Sequence, residues 1–273
     1  MKGHTYISNS VDEKGYVSWS DEENETWATL IKRQNEIIKG RACKQFEKGL
    51  EILDFPKDKV PQIPEINEKL NKETGWAVHP VDAVIPPLEF FTLLANKKFP
   101  AATFIRIPAE IDYIQEPDIF HEIYGHAPLL THKPYADFLE QFGKLALKLD
   151  SKYRFRLFRL FWFTIEFGLI NTDEGLRAYG GGILSSIGET QFCLSGVPKI
   201  MEFTPMDSLR TSYRIDIMQP LYFTINKLED LYPILELDIP ELLIESKKLG
   251  DYSPLYSPAD DSEAISEKGA MKC

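Results

Sequence analysis

Residues 117–130 read PDIFHEIYGHAPLL, with His121 followed at once by Glu122 and, five positions on, by His126. The metalloprotease pattern H-E-x-x-H begins the same way, but its two metal-binding histidines lie four apart. Here position 125 is Gly and the second histidine arrives one residue late. On an unbroken α-helix five residues turn about 500°, so the two side chains diverge by about 140°. The spacing therefore predicts a break. Gly125 takes the left-handed conformation that ends helices, Pro128 discourages helix beyond it, and His126 folds back toward His121.

Two imidazoles need a third donor, and the stretch LFWFTIEFGLI (160–170) offers one. Glu166 stands alone in an apolar run. A buried carboxylate without a partner costs several kcal/mol, so it requires a cation. Arg159 lies two helical turns away, roughly 10 Å, too far to pair directly. A metal ion meets the need, and two histidines with one carboxylate form the facial triad of non-haem Fe(II) oxygenases. On spacing alone, His121 and His126 are equally compatible with satisfied core residues, and Glu166 with an arginine elsewhere. His132 sits in the polar stretch THKP, while His4 and His79 have no partners in sequence. Glu122 reads as an outer carboxylate that tunes the site rather than as a ligand.

The elements that must position these groups are mostly helical. Ser20 with Glu23 forms a capping box. Trp27, Leu30, Ile31, Ile37, Ile38, Ala42, Phe46 and Leu50 then recur near helical spacing, predicting one long helix or two abutting ones over 21–54. Pro64 and Gly75 bracket a shorter helix. PLEFFTLLANKKF (87–99) predicts another helix, and AATFIRI (101–107) a short β-like run. Residues 117–150 read as helical with a loop near 127–134, and 155–170 as a very apolar helix. Further helices are predicted at 219–231 and 239–248. Residues 1–19 read as a polar arm, 20–255 as one catalytic domain, and 256–273 as a disordered tail. The fold class is mostly α with minor β.

A net charge of −11 argues against a nucleic-acid footprint and against docking on anionic membranes. Three scattered cysteines and an N-terminus without an apolar core indicate a reducing, cytoplasmic setting. No stretch is apolar and long enough to span a bilayer. Gly180–Gly182 is not a nucleotide loop, since no Lys follows and G-x-G-x-x-G is not met. Gly125 also disfavours a zinc metallohydrolase.

At this point the chain resembles the pterin-dependent aromatic amino acid hydroxylases, and among them the short bacterial enzymes acting on phenylalanine. The matching stretches are TWATLIKRQ (26–34), TGWAVHPV (74–81), EPDIFHEIYGHAPLL (116–130), WFTIEFGL (162–169) and AYGGGILSSIGE (178–189). The resemblance implies a single helical catalytic domain with a non-haem iron site in a central cleft. It implies His121, His126 and Glu166 as Fe(II) ligands and as the catalytic centre. It further implies Arg106, Ser185 and Ser186 as holding the amino acid, Trp162 and Pro117 as lining the ring pocket, and Phe90 as stacking on the pterin. The expected reaction is hydroxylation of L-phenylalanine to L-tyrosine with O2 and a tetrahydropterin such as tetrahydrobiopterin. The same chemistry on tryptophan or tyrosine is the alternative. Partners are expected to be small molecules, and the assembly a monomer or homodimer. Ile114 stands where animal phenylalanine enzymes carry a hydroxyl residue, and Phe161 where they carry Tyr. The family's N-terminal regulatory domain and C-terminal tetramerising helix have no counterpart in the sequence.

Overall fold

Ser20 and Glu23 form the expected reciprocal cap: the Glu23 amide donates to Ser20 Oγ at 3.3 Å, and Glu23 Oε2 accepts from the Ser20 amide at 2.7 Å. This cap opens α1 (Asp21–Ile37), which buries Trp27, Leu30 and Ile31. A computed structural model supplies the coordinates and describes residues 6–82, 85–114, 116–154 and 156–256. The tail expected to be disordered lies, from 257 onward, outside the described residues. The rest of the N-terminal half comprises α2 (Lys44–Leu53), α3 (Ile63–Thr74), β1 (Ala77–Val81), α4 (Pro87–Ala95) and β2 (Lys98–Ala102). β1 and β2 pair in parallel. The polar arm is stitched down from residue 6 onward: Asn9 and Thr103 exchange hydrogen bonds of 2.7 and 2.8 Å.

Next come a π-helical turn (His121–His126), α5 (Ala127–Leu130), α6 (Lys133–Leu147), α7 (Ser151–Arg154) and α8 (Leu157–Phe161). A second π turn (Trp162–Glu166) leads into β3 (Gly168–Thr172) and β4 (Gly175–Ala178). Short α9 (Gly181–Leu184) and α10 (Ile187–Phe192) precede β5 (Lys199–Glu202) and α11 (Pro205–Arg210). β6 (Leu221–Ile225), a 3-10 helix (Leu228–Glu236) and α12 (Ile239–Leu249) complete the described chain. The larger sheet has the order β4-β3-β6-β5, antiparallel only between β4 and β3. The fold is mostly α with minor β.

Three local expectations are corrected. The helix over 219–231 is instead β6 followed by the 3-10 helix. LYFTI is buried at all five positions, so as an interior strand it shows no alternation to betray it. The apolar helix over 155–170 ends at Glu166, and 168–172 form β3. Most consequentially, the helix does not break at Gly125, whose φ is not positive. It widens into a π turn whose i→i+5 repeat brings residues five apart onto the same side. Pro128 occupies the first turn of α5, where a proline lacks no needed donor.

Gly125 is glycine for a different reason from the one its sequence context suggests. A Cβ there would lie 2.6 Å from the Gly181 carbonyl oxygen and 3.1 Å from Ser185 Cβ. The π turn is thus pressed against α9 without a gap. Gly125→Ala is expected to destabilise the protein by about 1–3 kcal/mol through overpacking. Calorimetry should register this as a melting temperature lower by several degrees, roughly 2–4 °C per kcal/mol. An unchanged melting temperature would mean that α9 can retreat.

Candidate metal centre

The π turn and the end of the second π turn deliver three donor atoms to one point. His126 Nε2 lies 3.2 Å from His121 Nε2 and 3.2 Å from Glu166 Oε2, and His121 Nε2 lies 3.6 Å from the same oxygen. Among the described residues this is the single His/Cys/Asp/Glu group with the reach to share an ion. Donors each about 2.1 Å from a common cation are separated by roughly 3.0–3.6 Å, which the observed distances match. A buried carboxylate facing two imidazole nitrogens needs positive charge among them, and a shared cation supplies it. The residues therefore fit a divalent ion, and the chemistry of two nitrogens and one oxygen suits iron.

Each ligand is aimed by its surroundings. Ser185 donates its hydroxyl to the Gly181 carbonyl at 2.8 Å, leaving Oγ to accept from His121 Nδ1–H at 2.9 Å. That places the proton on Nδ1 and the lone pair on Nε2, facing the other two donors. Burial pushes the His121 imidazole down to about 4, so it stays neutral near pH 7. His126 is held by shape. Phe99 stacks on it at 4.7 Å, and a Cβ at Gly181 would come within 2.3 Å of its ring. Burial alone would push Glu166 up, but the two imidazoles and the Gly182 N–H bring it net below its ordinary value. Glu122 sits beside the trio and not in it. Burial, then the negative charges of Glu166 and Asp118, push its carboxyl well up.

Against these ligands lies a cavity of about 590 Å³. His121, Glu166, Arg106, Pro117, Trp162, Ser185 and Ser186 all line it, so the structure gathers nearly every residue singled out in the sequence. His126 stands just behind, 1% exposed. Phe90 is not brought to this wall. Its ring packs 5.2–5.4 Å from Phe91, Phe158 and Phe161 in the aromatic core. Trp162 stacks on Tyr213 at 4.3 Å and donates to Gln219 Oε1 at 3.2 Å.

Sequence reasoning left out two buried acids. Asp118, fully buried, grips Arg106 with two side-chain hydrogen bonds of 2.8 and 2.9 Å, and accepts from the His121 amide at 3.0 Å. Its position three residues before His121 was the available clue. Glu189 lines the cavity at 5% exposure, accepting from the Gln219 amide at 3.0 Å and from the Tyr222 hydroxyl. Burial pushes its carboxyl up. Nothing in SSIGE marked it as buried.

The chain belongs to the family described as biopterin-dependent aromatic amino acid hydroxylases, whose profile matches residues 7–236. It is an enzyme of that class, a pterin-dependent hydroxylase. It is 49% identical over 258 residues to a phenylalanine-4-hydroxylase of Pseudomonas aeruginosa, covering 94% of this chain and 98% of the relative. Phenylalanine hydroxylase from Legionella pneumophila superposes with a TM-score of 0.89 at 46% identity, covering 92% of this chain and all (100%) of that one. A Chromobacterium violaceum phenylalanine hydroxylase structure with bound oxidised Fe(III) gives 0.83 at 41% identity, covering 89% and 91% of the two chains.

Burial alone would raise the Asp118 carboxyl, but Arg106 and the His121 and Arg106 amides outweigh it and hold it below its ordinary value of 3.8. A depressed carboxylate contributes stability that is present above the unfolded value and lost as pH falls through the folded one. Asp118→Asn strands a buried guanidinium and is expected to cost about 3–5 kcal/mol near pH 7. The deficit should shrink below pH 3.8. Urea unfolding across pH checks both; a pH-independent difference would contradict the ion-pair account.

Proposed function

We propose that the chain converts L-phenylalanine to L-tyrosine with O2 and a tetrahydropterin, at ferrous iron held by His121, His126 and Glu166. The observation carrying this reading is the meeting of those three donors at the wall of a cavity that Arg106 also lines. When bound, ferrous iron together with the tetrahydropterin supplies O2 activation and the electrons. One oxygen atom goes to the aromatic ring and the other to the pterin.

The protein's own part is placement. Three protein ligands instead of more leave the ion open to other groups. Arg106 matches a substrate carboxylate, because a planar guanidinium offers paired N–H donors. Asp118 keeps it rigid by occupying Nε and one terminal nitrogen, Nη2. Trp162 and Pro117 give the ring an apolar wall beside the metal ligands. Holding ring and metal in a fixed relation is worth several powers of ten in rate. Phe99 and the tightly packed α9 close off water behind His126. No helix among the described residues is long and apolar enough to cross a membrane. The free, buried Cys43 and Cys193 suit a reducing, cytoplasmic compartment.

The purified protein is expected to bind about one iron per chain by elemental analysis, with Glu166→Ala binding little. Full iron content in that variant would place the metal elsewhere. Arg106→Ala is expected to raise the KM for phenylalanine by a factor of ten or more, with little change for the pterin, since the amino acid alone carries the carboxylate. Equal effects on both would make Arg106 a structural residue. Product analysis with phenylalanine, tyrosine and tryptophan should show phenylalanine strongly preferred.

A further inference from the structure

Glu189 has no role in the reading above, and its surroundings are unusual for a buried acid. It is 5% exposed and lines the cavity that Arg106, Ser185 and Ser186 also line. Both of its hydrogen bonds, from the Gln219 amide and the Tyr222 hydroxyl, fall on Oε1. Among the described residues nothing donates to Oε2, and no lysine, arginine or histidine forms an ion pair with this carboxylate. Asp118, a fully buried acid that does not line the cavity, is matched by Arg106. Glu166 has its cation in the metal reading. Glu189 is left as a buried carboxylate turned to a ligand cavity without a counter-charge.

An α-amino acid brings one negative and one positive group about 3 Å apart, a consequence of standard backbone dimensions. Arg106 receives the negative one. Ser185, the residue after α9, touches the candidate metal ligand His121, and Glu189 stands in the first turn of α10 behind the extended N-cap Ser186; both line the cavity. Asp118 ties Arg106 to the His121 amide, so the cavity that Glu189 lines also presents Arg106 beside the metal ligands. We propose that Glu189 Oε2 binds the α-ammonium of the amino-acid substrate, making Glu189 a substrate-binding residue that selects amino acids over plain aromatic acids. Tyr222 and the Gln219 amide orient it for this by occupying Oε1. The proposal rests on the reading that the cavity takes phenylalanine.

The test compares L-phenylalanine with 3-phenylpropanoate, which has the ring and carboxylate but no ammonium. Binding is measured by calorimetry on the anaerobic iron-loaded enzyme. Wild type should prefer phenylalanine by roughly ten- to a hundredfold, the worth of a charge-assisted hydrogen bond. Glu189→Gln should lose most of that preference by weakening phenylalanine alone, and Glu189→Asp should restore part of it. A variant that weakens both ligands equally, or neither, would overturn the proposal and leave Glu189 as an anchor for Gln219 and Tyr222. Should the Gln variant fail to fold, equal affinity of wild type for the two ligands would overturn the proposal equally well. Failure of wild type to bind phenylalanine at all would instead overturn the reading of the cavity on which the proposal stands.

Discussion

Glu166 is a buried carboxylate facing two imidazole nitrogens at 3.2 and 3.6 Å, and such an anion requires a cation. That requirement organises the surrounding structure. Both π turns fall at the candidate ligands: one carries His121 and His126, the other ends on Glu166. A π turn is a costly, rare departure from α geometry, found mostly at functional positions. Here its i→i+5 repeat is what lets two histidines five residues apart meet. In the second turn the Phe167 amide reaches back to the Trp162 carbonyl at 2.8 Å, the same five-residue step.

Holding the ligands still is the task of close packing rather than of many hydrogen bonds. The glycine run at 180–182 lets α9 press directly on His126 and on the Glu166 backbone. Gly125 completes the contact from the other side. Ser185 adds one directed hydrogen bond, choosing the His121 tautomer. The Arg106–Asp118 pair is tied to the His121 end of the cleft, because Asp118 also accepts from the His121 amide. Small disturbances anywhere in this cluster should therefore shift the three candidate ligands.

Much of this was legible in the sequence, for identifiable reasons. Capped, amphipathic helices such as α1, α3 and α12 announce themselves by period and punctuation. That His121, His126 and Glu166 come together was suggested by a lone acid in an apolar run and two nearby histidines, which left core residues equally possible until the family resemblance favoured a metal. The geometry joining them was not. A glycine between histidines reads as a helix end, and periodicity has no way to distinguish a π turn from a break. β6 was hidden because a strand covered on both faces carries no alternation. Arg106 lies in the β-like run expected over 101–107, and nothing local marks it as buried until its pairing with Asp118, twelve residues on, is seen. Glu189 was invisible for the same reason: its burial comes from Gln219 and Tyr222, thirty or more residues further along the chain.

The most direct test of the central claim is anomalous diffraction at the iron edge from anaerobic crystals soaked in ferrous salt. One strong peak is expected within coordinating distance, about 2.1 Å, of His121 Nε2, His126 Nε2 and a Glu166 carboxylate oxygen. A fully occupied peak elsewhere, with these three side chains turned apart, would contradict the account.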